Sequence, residues 1–292
     1  MASILVIGNA AVDIVNVVTT YPPEDAEVRA EAQHVVRGGN AANTAAVLAR
    51  LGHRCAWAGT VADDAGGRLI LDDLHGHGVA IGHAETVAGG RSPTSYVTRS
   101  RATGSRTIVH YRDLPEYSLE AFAAIDLSTY DWVHFEGRNL EAVAGMLRRV
   151  RAGRPARPCS LEVEKPRAGF EAVWPLADLL FFSRVFAEAR GFDDPSGLLE
   201  WAGAQAPGTD RVCAWGEAGA RGVTADGSAV ATPAFPPLEV VDTLGAGDVF
   251  NAGVIDARVR GLPLGKAIEA GARLAGAKCG RQGLTGLADP TA

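Results

Sequence analysis

Apolar residues follow two rhythms along this chain. From Leu119 onward, short aliphatic and aromatic runs at 132–135, 160–163, 179–182 and 212–215 read as buried strands. Stretches with helical spacing lie between and around them at 140–151, 169–176, 185–190 and 196–205. Alternation of this kind predicts βαβ units and a mainly parallel sheet covered on both faces. The run at 4–7, closed by Gly8, adds another buried strand. An Ala/Leu-rich stretch stopping at Gly52, an apolar stretch at 250–259 and an Ala-rich amphipathic stretch at 264–278 read as helices.

The second rhythm is strand-like without helices. Residues 10–36 run through an alternating segment, a Tyr21-Pro-Pro-Glu turn and a second alternating segment. Residues 94–100 and 106–111 form a similar pair around Thr103-Gly104-Ser105, a hairpin signal. The expectation is an α/β fold drawn as one unit over 1–292, with a small β-sheet lid built from about 10–37 and 92–112. There is no internal repeat and no long linker.

Composition narrows the function classes. The 292 residues are 47% apolar and 21% charged, as in a globular protein with a substantial core. A formal net charge of -6 gives no general affinity for nucleic acid or an anionic membrane. No apolar run approaches the roughly 18 residues of a membrane span. The first residues lack a basic segment and cleavage signal, so they read as a strand. Four scattered cysteines (Cys55, Cys159, Cys213 and Cys279), with no Cys-x-x-Cys, suit a reducing cytoplasm. His75, His77 and His83 lack a completing carboxylate or cysteine at metal-ligand spacing and read as a surface helix end followed by a loop. Residues 261–266 only superficially resemble a P-loop, and neither Gly-x-Gly-x-x-Gly after a strand nor Gly-x-Ser-x-Gly is present.

The chemistry concentrates at 240–251, Val-Val-Asp-Thr-Leu-Gly-Ala-Gly-Asp-Val-Phe-Asn. A β-branched run meets Gly245, Ala246 and Gly247, where the chain can approach a ligand closely as a helix begins. Unpaired amides and the positive helix end favour an anion there. Asp248 beside them would stay ionised and face a hydroxyl next to a phosphate, the minimal apparatus of phosphoryl transfer. An Asp that merely complements the helix dipole is the alternative. Asn40 and Asn43, in Arg37-Gly-Gly-Asn-Ala-Ala-Asn, project from one helix face and suit sugar hydroxyls, or else cap the helix. Glu162 and Glu164 share one side of a strand end, inviting a metal or an ion-pair network with Lys165, Arg167 or Arg138. Ligands in such sheets sit beyond the strand carboxyl ends, where 137–139, 164–165, Glu217 and 245–248 all fall.

The 240–248 motif resembles the C-terminal signature of the ribokinase (PfkB) family of sugar and nucleoside kinases. Phe135-Glu-Gly-Arg-Asn, Leu161-Glu-Val-Glu-Lys-Pro-Arg, Ala234-Phe-Pro-Pro and Ala277-Lys-Cys-Gly-Arg-Gln-Gly resemble, more particularly, its ketohexokinase branch. The resemblance runs over nearly the whole chain and implies a ribokinase-like fold with a β-clasp lid. It implies a cytoplasmic ATP- and Mg²⁺-dependent kinase, with D-fructose as leading substrate and O1 as accepting oxygen. Asp248 then resembles the catalytic base, and Gly245, Ala246 and Gly247 the backbone anion hole. Asp13, Gly39, Asn40 and Asn43 match sugar-holding positions. Asp25 matches an aspartate that reaches a neighbouring subunit's sugar, implying a homodimer joined through the lids. Arg106 matches a lid arginine near the phosphates. Glu217, Gly219, Pro236 and Cys279 fall at the adenine pocket. Asp242 matches the residue beside a monovalent-cation site, which implies potassium activation, and Glu164 is the candidate linked to magnesium. The Asn-x-x-Glu of many members is replaced by Ser-Arg-Val-Phe at 183–186, and Thr-Val-Ala-Asp-Asp at 60–64 follows the general family more than the ketohexokinase branch. A kinase for another ketose, a modified hexose, a pentose or a nucleoside, or an idle sensor on the same scaffold, are the alternatives.

Overall fold

The computed structural model describes residues 1–284, 286 and 287. The unit drawn over 1–292, and the Gly-rich tail at Thr285, therefore reach outside the described residues. Strand β1 (Ser3–Ile7) shows how the body is built. Ile4 and Val6 enter one apolar cluster while Leu5 and Ile7 enter the other, so both faces of the sheet are covered. After β1 come β2 (Ala11–Val18), β3 (Ala32–Gly38), α1 (Asn40–Arg50), β4 (Arg54–Ala58) and β5 (Thr60–Ala62). Then follow α2 (Ala65–Gly76), β6 (Glu85–Val87), β7 (Thr94–Ser100), β8 (Arg106–Tyr111) and α3 (Leu119–Ala123). The alternating half holds β9 (Trp132–Glu136), α4 (Leu140–Ala152), β10 (Cys159–Val163), α5 (Phe170–Val173), β11 (Leu179–Ser183), α6 (Arg184–Ala189), α7 (Pro195–Gln205) and β12 (Asp210–Ala214). The hairpin β13 (Ala220–Val223) and β14 (Ala229–Thr232) leads to α8 (Ala246–Val259) and α9 (Leu264–Cys279).

The main sheet has eight strands in the order β14-β13-β12-β11-β10-β9-β1-β4, parallel from β12 to β4 and antiparallel only at the β13–β14 edge. A separate four-stranded sheet, β3-β2-β7-β8, is the lid expected from the two helix-free segments. Its central pair β2–β7 is parallel and its outer pairs are antiparallel.

Helix α8 is the buried pivot: Val249, Phe250, Ala252, Val254, Ile255 and Ala257 are all covered, as expected of a helix apolar on most sides. It lies so close to α9 that a Cβ added at Gly253 would sit 2.8 Å from the Gly271 Cα. Cys55, Cys159 and Cys213 are buried in β4, β10 and β12, where burial pushes each thiol up to about 12. The histidines separate as the loop reading expects. His77 caps α2 beside Arg50 and Asp73, and His83 meets the Tyr130 hydroxyl at 2.8 Å. The P-loop look-alike is the turn that starts α9. Among the described residues no helix is long and apolar enough to cross a membrane.

Candidate active site

The parallel strands end beneath the lid, and a cavity of about 320 Å³ lies between them. The body contributes the turns after β1 and β10, the start of α1 and the start of α8; the lid contributes the inward residues of β2, β7 and β8. Strand alternation selects those lid residues. Asp13 pairs in register with Ser95, and Ser95 with His110, so all three share the inner face.

Gly245 caps α8 in the left-handed region, at φ 79°, a conformation that glycine adopts without penalty. The amide of Ala246 turns back to the Thr243 carbonyl at 3.3 Å. The amides of Gly247 and Asp248 belong to the first turn, where a helix lacks preceding carbonyls to accept them. A Cβ at Gly247 would meet open space, so a ligand can come close to the backbone there.

Asp248 is 6% exposed, and its Oδ2 accepts the Asn43 Nδ2 at 2.6 Å. Asn43 Oδ1 accepts Arg37 at 2.7 Å, and Arg37 pairs with Asp73. Arginine only donates, so the Asn43 carbonyl must face it, leaving the amide N–H for Asp248. The chain Asp73–Arg37–Asn43–Asp248 thus fixes one carboxylate oxygen and leaves Oδ1 for a substrate. The expectation of a carboxylate ionised by the helix end needs correction. Burial pushes the Asp248 carboxyl up to about 8, Glu164 and Glu136 add to it, and the Asn43 hydrogen bond and Arg37 pull it back.

Asp13 is also raised by burial, against the Ser95 hydrogen bond and the charge of Arg37. Asn40 Nδ2 reaches Glu162 Oε1 at 3.2 Å, and Asn251 Nδ2 reaches the same oxygen at 3.1 Å. Glu162 has no cationic partner among the described residues. Arg138 pairs with Glu136 and Glu116, while Lys165 makes a 3.6 Å pair with Glu164. Burial, with Asp248 and the neighbouring glutamates, holds Glu162 well above the usual carboxylate range, and its Oε2 is buried without a partner. That orphaned oxygen and the half-buried Glu164 both line the cavity, a hard-oxygen pair that fits Mg²⁺ completed by phosphate and water. No group of three potential His, Cys, Asp or Glu ligands exists among the described residues, so the protein would supply only part of that shell.

Asp13, Gly39, Asn40, Asn43, Arg106, Glu164, Gly245, Ala246, Gly247 and Asp248 all line this cavity. Arg106 donates to Thr243 Oγ1 at 2.6 Å, tying β8 to the loop before α8. The other expected residues lie outside it. Asp25 is exposed in the β2–β3 turn. Glu217 and Pro236 are exposed, and Gly219 has a structural reason of its own, since a Cβ there would lie 2.1 Å from the Thr232 carbonyl oxygen. Cys279 is half-buried at the end of α9, which the 235–237 segment covers at Gly276 and Gly280. Asp242 does not fit a monovalent ion at its carbonyl and carboxylate, because the Lys278 ammonium already holds both, at 2.7 and 2.8 Å. Although burial alone would raise the Asp242 carboxyl, Lys278 and the Leu244 and Gly283 amides hold it below the usual range.

Asn9, Ser95, His110 and Asn251 line the cavity without having been expected as site residues. Glu162, Arg138 and Lys165, which also line it, belong to the strand-end cluster that the sequence marks as inviting a metal or an ion-pair network. Asn251 carried a signal: it lies three residues after Asp248, on one helix face. Asn9 follows a predicted strand end. Ser95 and His110 depend on lid register, for which the sequence holds no comparable mark.

Known proteins share this sequence pattern and fold. The family model for pfkB family carbohydrate kinases matches residues 1–292. The chain is 37% identical over 292 residues to the ketohexokinase of Mus musculus, covering 97% of this chain and 98% of that protein. It is 29% identical over 287 residues to the ribokinase of Bacillus subtilis, covering 94% and 90%. The Arabidopsis thaliana ribokinase solved with ribose and ATP shares the fold at a TM-score of 0.81, with 21% identity over 99% of this chain and 96% of that one. The chain belongs to the pfkB family of carbohydrate kinases.

Proposed function

We propose that the chain phosphorylates a ketose with ATP, converting D-fructose to fructose 1-phosphate. The observation that carries the reading is Asp248, buried in the first turn of α8 and held through one oxygen by Asn43. Its free oxygen takes the proton from the sugar hydroxyl as that oxygen attacks the terminal phosphoryl group. The backbone from Gly245 to Gly247 receives the phosphoryl oxygens. Asp13, Gly39, Asn40 and Asn43 hold the sugar, and Arg106 closes over the phosphates. Glu217, Gly219, Pro236 and Cys279 line the path of the adenine. Glu162 and Glu164 would hold Mg²⁺, which would supply charge neutralisation for the transferring group.

The ketose assignment is supported by the 37% identity to mouse ketohexokinase along almost the full length of both chains. A lid-to-lid homodimer is supported by the lid's outer face, where Val35, Tyr96 and Val109 are 49%, 51% and 65% exposed. A cytoplasmic setting is supported by the buried thiols of Cys55, Cys159 and Cys213.

The test is ADP release from MgATP across a panel of ketoses, aldoses, pentoses and nucleosides, with the product's phosphate position read by NMR. Fructose 1-phosphate establishes the reading. Turnover only with ribose or a nucleoside overturns the sugar while keeping Asp248. A folded, ATP-binding chain with no acceptor at all points to a sensor.

A further inference from the structure

Lys278 is the most deeply buried cation of the described chain, with 0% of its surface exposed. It sits under the loop that delivers the anion cradle. Its Nζ donates to the Asp242 carbonyl at 2.7 Å and lies 2.8 Å from the Asp242 Oδ2. The same carboxylate accepts the Leu244 amide at 2.9 Å and the Gly283 amide at 3.0 Å. The Cys279 carbonyl accepts the amides of Val241 and Asp242 at 2.8 and 3.1 Å. Loop 241–244 is therefore stitched to the end of α9 through the Lys278 ammonium, immediately before Gly245 turns into α8. It is also tied to the lid through Arg106 and through Arg99, which donates to the Val241 carbonyl at 2.9 Å.

A carbonyl and a carboxylate converging on one point form a site for a compact monovalent cation. The ammonium of lysine is a compact point charge on a flexible stem. We infer that Lys278 is a built-in replacement for a monovalent metal ion, holding loop 242–247 in phosphate-binding geometry so that the kinase needs no potassium. Lys278 touches no reacting atom; it is a positioning residue that acts through Asp242. Without it, Asp242 is a buried carboxylate facing its own carbonyl, and the loop relaxes away from the geometry that presents the amides of Gly247 and Asp248. A metal cation entering the vacated space would restore the arrangement.

The inference rests on the proposed use of the α8 first turn as the phosphate cradle, so the experiment reads both turnover and melting. Wild-type enzyme is compared in potassium, sodium and tetramethylammonium chloride at one ionic strength, which keeps screening constant. Turnover is expected to change by less than about twofold, because no structural ion is exchanged. Melting temperature is expected to be the same in all three salts. Lys278→Met keeps the stem and removes the charge. It is expected to lose roughly 10²-fold in kcat, with a smaller change in the KM for the sugar, and to recover in potassium or ammonium but not in tetramethylammonium. Adding Asp242→Asn should abolish that recovery. Potassium-dependent turnover, or potassium-specific stabilisation, of the wild type overturns the inference. So does a Lys278→Met enzyme with normal kcat, or one whose loss is indifferent to potassium. If Lys278→Met does not fold, the wild-type salt comparison decides alone. Wild-type protein inactive in every salt would count against the cradle, while its melting would still decide the role of Lys278.

Discussion

Asp248 shows how a carboxyl is made into a base by its surroundings. A group pushed up to about 8 is protonated below that pH and becomes a proton acceptor only as pH rises through it. For free enzyme, kcat/KM is therefore expected to climb with pH and level off only above about 8, as a pH–rate profile will show. A flat profile from pH 6 to 9 would mean that another group takes the proton. Replacing Asp248 by Asn should lower kcat by roughly 10²–10⁴-fold while nucleotide affinity, read by calorimetry, stays nearly unchanged. Asn43→Ala removes the hydrogen bond that lowers the Asp248 carboxyl, so the acid limb should move to higher pH. An unmoved limb would detach Asn43 from the base. The aspartate and its glycines are legible because four adjacent residues carry the motif. The partner that aims the carboxylate lies 205 residues away, and nothing local marks the pair.

The alternating half of the chain is readable because each parallel strand is a short apolar run and each crossover helix has its own period. Elsewhere the signal weakens. The pattern defines no strand boundaries between 53 and 93, yet β4, α2 and the short β5–β6 pair lie there. Strands of three residues are too brief for alternation to be seen, and the glycines at 66 and 67 mask the start of α2. The β13–β14 hairpin escapes for the same reason, being two four-residue strands, Ala-Arg-Gly-Val and Ala-Val-Ala-Thr. The approach of α8 to α9 is likewise invisible in either helix alone, since Gly253 and Gly271 gain meaning only together. Gly253→Val should cost about 1–3 kcal/mol by overpacking, measured by denaturant unfolding. Because α8 also carries Asp248, kcat should fall with stability. A variant as stable as wild type would show that the helices can part without cost.

The lid joins these levels, because its two faces have different chemistry. Inward, it offers Asp13, Ser95, His110 and Arg106 to the cavity. Outward, the register Val35–Ile14–Tyr96–Val109 lays an apolar row across all four strands. A second lid packed on that row would bury it, and Tyr96→Asp should shift the sedimentation of a dimer towards the monomer. Asp25 makes a stronger test. It is exposed at the tip of the lid, held at φ 58°, in the region that non-glycine residues seldom occupy, and it does not line its own cavity. If it serves a neighbour's sugar, Asp25→Ala and Asp248→Asn are each defective alone but complementary when mixed. In a hybrid dimer, one site has Asp248 from the first chain and Asp25 from the second, and is intact. Random exchange makes about half the dimers hybrid, each with one working site of two, so activity should recover to about a quarter of wild type. Recovery requires both a two-fold assembly and a lid that crosses between protomers. A mixture no more active than its components would confine each site to a single chain.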